Sequence, residues 1–270
     1  MLHVTTGDGV TLRYLRKGSE GPPVVLIHGW SASHRSFDLN IESLARRCTI
    51  FAPDLRFHGD SDKPAWGFHV ARLAADLHAL LSAWQLEAPT LVGCSLGCAV
   101  IWSYVELFGC DALGKCVFVD QAPSQWRFAD WQLGSKGIYD AASLDAIQAA
   151  LRADMAAFAD GNARCCLTKR VPEALLQTLS AESQKCDPDA LGKLMADHAP
   201  KDWRPILPRI RCACLNLYGT ASGCFPAEGC AAVGTLIPTC RNVAFEGCNH
   251  WLYMEEPERF NQLVGDFACE

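Results

Sequence analysis

Gly93-Cys94-Ser95-Leu96-Gly97 is the stretch on which the reading of this chain turns. An apolar run, Pro89-Thr90-Leu91-Val92, leads into it, and a helix-like run, Cys98 to Val105, follows it. A Gly-x-Ser-x-Gly turn between a strand and a helix holds the serine on a strained backbone, so only small residues fit two positions to either side. The helix behind it points its free N–H groups and positive end at the serine oxygen. On spacing alone the pentapeptide also fits a glycine-rich turn around a buried serine, so the rest of the chain has to decide.

Working outward, apolar runs alternate with amphipathic ones. Val10 to Leu15 alternates apolar and polar, as a half-buried strand does, and Gly7-Asp8-Gly9 before it is a hairpin signal. Pro23 to Ile27 and Thr49 to Ala52 are continuous apolar runs, the pattern of strands buried on both faces. Residues 34–47 read as a helix with Phe37, Ile41, Leu44 and Ala45 on one side. His69 to Trp84 reads as another, with a stripe of Val70, Leu73, Leu77, Leu80, Leu81 and Trp84. Lys115 to Val119 is a further strand. Between Pro123 and Pro205 no strand pattern occurs. Ala141–Ala159, Pro172–Ser183 and Pro188–His198 read there as helices, separated by Gly161-Asn162 and Asp187-Pro188. The alternation then resumes: strand Cys212–Tyr218, helix Ala227–Leu236, strand Asn242–Phe245 and helix Glu256–Phe267. This order predicts an α/β fold with a mostly parallel sheet covered on both faces, built from residues 1–122 and 206–270. Residues 123–205 are expected to fold over the carboxyl edge of the sheet as a helical cap, where ligands bind in such sheets.

With 270 residues, half of them hydrophobic, and a net charge of −6, the chain has an ordinary globular composition with no basic footprint for nucleic acid. No apolar run approaches a membrane span, and no signal peptide is read at Met1 to Gly9. The fifteen cysteines show no C-x-x-C and no paired zinc spacing. They read as small buried apolar residues in a reducing, cytoplasmic compartment, with Cys165-Cys166 the one conceivable redox pair.

Three further stretches carry chemistry. His28-Gly29-Trp30 follows the strand 23–27, and an acyl-transfer site needs two N–H donors aimed at a developing oxyanion. The backbone of Leu96 supplies one and Trp30 is placed for the other. Asp54 to Asp62 (DLRFHGDSD) holds several carboxylates and a histidine, but reads as loop support, with Asp54 and Arg56 fixing each other, and not as a metal site. Phe245 to Trp251 ends a strand and carries His250 at its tip. Ser95 needs an imidazole to take its proton, and of the eight histidines His250 has the best context; His28 belongs to the oxyanion loop.

Taken together, HGW at 28–30, DLRFHGDSD at 54–62, GCSLG at 93–97, NHW from Asn249 and EEPERF at 255–260 make the chain resemble the α/β-hydrolase superfamily along its whole length except the cap. The fold hosts many chemistries. A serine nucleophile sets the chain apart from epoxide hydrolases and haloalkane dehalogenases, which use Asp there. Two departures stand out. Asn249 replaces the glycine usual before the histidine, an exchange tolerated because Asn accepts a left-handed conformation. The usual acid after the strand 212–218 is missing: Gly219-Thr220-Ala221-Ser222 has no carboxylate. Some members place the acid one strand earlier, where Asp120 ends the strand 115–119; Glu228 and Glu246 are the competitors.

The resemblance therefore implies a carboxylesterase- or lipase-like serine hydrolase with Ser95, His250 and Asp120 as its triad. Trp30 and Leu96 would supply the oxyanion hole, and Trp126, Phe128, Trp131, Phe225 and Trp251 either line an apolar substrate pocket or pack the cap against the core. The implied partner is a small, apolar substrate. No metal or organic cofactor is implied, and the oligomeric state is left open. A cofactor-free oxygenase, in which the His–Asp pair deprotonates a substrate, and a ligand receptor that keeps its triad are the alternatives.

Overall fold

The computed structural model describes all residues from Met1 to Glu270. Its frame is an eight-stranded sheet in the order β1-β2-β4-β3-β5-β6-β7-β8. The strands are β1 (Leu2–Thr5), β2 (Thr11–Lys17), β3 (Pro23–Ile27), β4 (Thr49–Pro53), β5 (Thr90–Cys94), β6 (Lys115–Val119), β7 (Ala213–Gly219) and β8 (Cys240–Phe245). β1 pairs with β2 and β2 with β4 in antiparallel fashion; every other pair is parallel. The α/β expectation holds, with a sheet that is parallel except for the N-terminal hairpin.

Alternation along the strands builds two cores. Val25, Ile27, Leu91, Cys116 and Phe118 face one side, and Val24, Leu26, Val92, Val117 and Leu215 face the other. Successive strand residues point to opposite faces, so a sheet covered on both sides needs apolar residues at consecutive positions. The first side is covered by α2 (Val70–Trp84), α3 (Leu96–Phe108) and Val233 of α8 (Ala227–Leu236). The second is covered by α1 (Asp38–Leu44), α9 (Leu252–Glu255) and α10 (Pro257–Cys269). The expected helix over 34–47 begins as a 3-10 turn, His34–Phe37, in which Ser33 caps the amide of Arg35.

Between β6 and β7 lie four helices: α4 (Ala141–Ala153), α5 (Met155–Cys165), α6 (Glu173–Gln184) and α7 (Pro188–His198). The single helix expected over 141–159 is two, because Asp154 adopts an extended backbone and accepts a hydrogen bond from the amide of Ala157, capping a new start. Gly161 and Asn162, read as a separator, lie inside α5. The only strand-like contacts between β6 and β7 are two isolated bridges, Ser124 to Asp202 and Phe128 to Trp131. No helix is long and apolar enough to cross a membrane.

The loop after β4 departs from its sequence reading. Asp54 and Arg56 do not pair with each other. Asp54 accepts from the amide and ring of His34, both at 2.8 Å, and from the amide of Asp60 at 2.9 Å. Arg56, fully buried, reaches the other way and clasps Asp76 of α2 through two bonds of 2.7 Å, with Asp8 as a further acceptor. The two residues tie different elements to the loop, one to the 3-10 turn and the other to α2 and the N-terminal hairpin. A buried ion that loses its partner is left uncompensated, at a cost of about 3–5 kcal/mol. Asp76→Ala is accordingly expected to lower unfolding free energy by about that amount in urea denaturation. A loss under ~1 kcal/mol would show that Asp8 alone satisfies the guanidinium.

Candidate active site

The elbow is built as its spacing implies. β5 ends at Cys94, α3 begins at Leu96, and Ser95 between them has φ 54° and ψ −118°. The glycines are there for contact. A Cβ on Gly93 would stand 2.5 Å from the carbonyl carbon of Gly97, and one on Gly97 would stand 2.3 Å from the carbonyl oxygen of Ile27. Helix α3 thus starts directly against the end of β3, and no side chain fits between them. The loop 28–30 runs alongside: a Cβ on Gly29 would lie 3.3 Å from that of Ser95. The amides of Trp30 and Leu96 have no acceptor within the protein. His28 and His58 serve the backbone instead, Nε2 of each accepting an amide, from Leu55 and Ser31 respectively.

Asp120 stands at the carboxyl end of β6, fully buried, with φ 47°. Its Oδ2 accepts from His250 Nδ1 at 2.7 Å and from Ser222 Oγ at 2.6 Å; its Oδ1 accepts from the amide of Gly219 at 2.9 Å. Ser222, in the turn after β7 that lacks a carboxylate, therefore donates to the acid that follows β6. Glu246 bonds Thr220 at 3.2 Å, and Glu228 sits in the first turn of α8; neither makes a hydrogen bond to His250.

Asn249 does not use the left-handed backbone that its replacement of glycine suggested; the positive φ in this turn belongs to Gly247. Its side chain is a brace. Oδ1 accepts from the amides of Gly223 (2.6 Å) and His250 (2.7 Å), and Nδ2 donates to the carbonyl of Cys165 (3.0 Å). The histidine turn is thereby bonded to the β7 turn and to α5 at once.

Burial disfavours a charged His250, but the sulfur of Cys224 and the Asp120 carboxylate favour it and hold the imidazole above its ordinary value. Cys166 and His250 in turn hold the Cys224 thiol below its ordinary value, against burial. Cys224 had no place in the sequence reading. Its only signal was its position two residues beyond Ser222.

Ser95, His250, Cys224, Phe225 and Trp251 line one cavity of about 200 Å3. Trp30, Ile138, Ile147, Phe158 and Met195 make most of its apolar wall, so α4, α5 and α7 all contribute to it. Trp126 and Trp131, expected in the pocket, are not among its lining residues. Trp131 is buried behind Phe225, its Nε1 donating to the carbonyl of Ser124 at 3.3 Å, and Trp126 packs against the cluster of Ile138, Leu144 and Met195. Phe128 packs with Trp131 and likewise stays outside. Sequence reasoning missed His198, at the end of α7. It is buried, it lines the cavity, and neither ring nitrogen has a hydrogen-bond partner. Burial pushes it down to about 4, so its imidazole is neutral at physiological pH. A larger, open cleft of about 490 Å3 beside Tyr14, Phe51 and Trp84 contains neither a nucleophile nor a histidine.

The model of the alpha/beta hydrolase fold family matches residues 22–257, and the chain belongs to that family. It is similar over its whole length to an AB hydrolase superfamily protein of Bacillus subtilis, 25% identical with 98% of both chains covered. Among solved structures, an esterase from Exiguobacterium antarcticum superposes with a TM-score of 0.93 at 23% identity, covering 99% of each chain. An esterase from a Rhodococcus species superposes with a TM-score of 0.82 at 28% identity, covering 98% of this chain and 97% of the other.

The environment of His250 is open to direct measurement. Its imidazole is expected to titrate above the ~6.5 of an unperturbed histidine, and Cys224→Ser is expected to move it downward, because the substitution removes the acidic thiol that favours the charged ring. Ring NMR of the wild type, with His250→Gln for assignment, reads both. An unchanged titration in Cys224→Ser would show that the thiol does not act on the ring.

Proposed function

We propose that the protein is a serine hydrolase of carboxylic esters, acting through an acyl-enzyme on Ser95. The observation that carries this reading is the 2.7 Å bond between Asp120 and His250 at the wall of the cavity that Ser95 enters from its strained turn. A serine hydroxyl is a poor nucleophile until a base removes its proton. His250 is the base in its unprotonated form, so turnover is expected to rise with pH as the raised imidazole loses its proton, and His250 returns the proton to the leaving alcohol. Asp120 holds the ring in the tautomer with the proton on Nδ1 and stabilises the imidazolium that forms. The amides of Trp30 and Leu96, unused by the protein, are the donors for the oxyanion; fixed donors need no reorganisation as charge develops. Water then repeats the cycle on the acyl-enzyme.

In this reading residues 123–205 are a cap on the core formed by 1–122 and 206–270. Trp30 supports it, since its ring nitrogen donates to the carbonyl of Leu191 at 3.1 Å and its ring meets Phe158 edge-on, 5.6 Å between centroids. The cavity is smaller than the ~300–1,000 Å3 usual for drug-sized ligands, which favours a short acyl group. His198 suits a substrate whose apolar part carries one hydrogen-bonding group, because buried polar atoms in native proteins normally find a partner.

Ser95→Ala is expected to abolish both fluorophosphonate labelling and p-nitrophenyl ester turnover without loss of fold. Asp120→Asn is expected to lower kcat by about 10⁴, as in the serine-protease case, whereas Glu228→Gln and Glu246→Gln change it only several-fold. Turnover at near wild-type rate in Ser95→Ala, or oxygen uptake by a protein that cannot be labelled, would overturn the hydrolase reading. For His198, an ester library of graded acyl length with and without a hydroxyl or keto group is the test. A neutral hydrogen bond is worth about 0.5–1.5 kcal/mol, so His198→Leu should erase up to about a tenfold preference for the polar acyl group. An unchanged preference would exclude that role.

A further inference from the structure

At the amino edge of the sheet, remote from Ser95, the fold brings together three thiols that are far apart in sequence. Cys116 is the second residue of β6 and Cys214 the second of β7, and they are register partners in a parallel pair. Their side chains therefore leave the sheet on the same face. Cys212 lies two residues before Cys214, so the strand period places it on that face as well. The three Sγ atoms all lie within 4.8 Å of one another, with Cys116 and Cys212 at 3.7 Å. All three are free thiols.

We propose that Cys116, Cys212 and Cys214 form a three-coordinate thiolate site for a soft monovalent metal ion, Cu(I). A metal–thiolate bond of about 2.3 Å sets sulfurs about 4.0 Å apart around a planar three-coordinate ion and about 3.8 Å apart around a tetrahedral one. Cys116 and Cys212 already stand at 3.7 Å, and the other two pairs lie within 4.8 Å, so only a small adjustment is needed. A disulfide, by contrast, needs sulfurs at about 2.05 Å. The donor set is sulfur alone, and thiolates select soft ions. Its number decides between the two common soft ions. Cys240, the register partner of Cys214 on β8, continues the row but lies outside the close group, and no carboxylate or imidazole joins it. Structural zinc is almost always held by four protein ligands, whereas three thiolates complete a shell for Cu(I).

Access agrees with this. Cys116 and Cys214 are buried, while Cys212 is half-exposed and opens the group to solvent. Binding releases the thiol protons. Cys116 lies near the start of β6 and Asp120 just past its end, so the site lies outside the cavity lined by Ser95 and His250 and does not depend on the hydrolase reading.

The test is an anaerobic titration of the reduced, full-length protein with Cu(I), in competition with a chromophoric Cu(I) chelator. Other thiols will also bind copper, so the readout is a difference between variants. Wild type is expected to retain one more tight equivalent than Cys212→Ser or Cys116→Ala, while Cys269→Ser, at an exposed cysteine, matches wild type. X-ray absorption of protein loaded with one equivalent should show three sulfur neighbours at about 2.3 Å. Cys212 is half-exposed, so Cys212→Ser decides the matter if Cys116→Ala fails to fold; circular dichroism checks both. Equal copper retention in wild type and Cys212→Ser would overturn the proposal. So would loss of the tight equivalent in Cys166→Ser instead, or a tight zinc equivalent where Cu(I) finds none.

Discussion

One carboxylate holds the carboxyl edge of this sheet together. Asp120 ends β6, accepts the amide of Gly219 at the end of β7, the hydroxyl of Ser222 in the turn beyond it, and the ring of His250 from the turn after β8. Three chain crossings separated by long stretches of sequence are thereby fixed to one another. The carboxylate is fully buried, and such a group is tolerated only when donors satisfy it. That constraint suits a serine in the β7 turn. A second carboxylate there would face the first across a hydrogen bond; a hydroxyl completes its shell.

The region around the histidine is ordered by the same logic applied to neutral groups. Asn249 bonds the His250 turn to Gly223 and to the end of α5, and Trp251 donates its amide to the carbonyl of Cys166 at 3.1 Å. Glu255 accepts the amides of Asn249, at 2.6 Å, and of Lys169, also at 2.6 Å. The helices between β6 and β7 are therefore held by hydrogen bonds to the turn that carries His250 as well as by apolar packing on Trp30. Shape at the cavity and position of the imidazole are coupled, since both rest on residues 249–255.

Cysteine plays different parts at the two edges of the sheet. In the interior Cys94 and Cys98 are small apolar fillers whose thiols burial keeps protonated. Near the carboxyl edge Cys224 lines the cavity with His250, its thiol held below its ordinary value, and near the amino edge Cys116, Cys212 and Cys214 converge. Composition alone assigns all fifteen to the first role. What separates them is whether a second thiol or an imidazole lies within reach.

The sequence by itself determined the frame. Continuous apolar runs at 23–27 and 49–52 read as strands covered on both faces, 89–92 and 115–119 read as strands as well, and the glycines at 93 and 97 mark a turn where a helix starts against a strand. Local chemistry also limits the candidate acids to a few, because a carboxylate must end a strand at the right edge to reach a histidine there. Tertiary structure decided everything that depends on which side chain meets which across the fold. It separated Asp54 from Arg56, kept Trp126 and Trp131 off the cavity wall, and brought His198 and Cys224 onto it. It also joined a C-x-C at the start of β7 to a cysteine on β6. Periodicity reports the face a residue occupies, which is a property of a few neighbours in sequence. A contact between two elements depends on the register and crossing of both, and no short stretch of either encodes it.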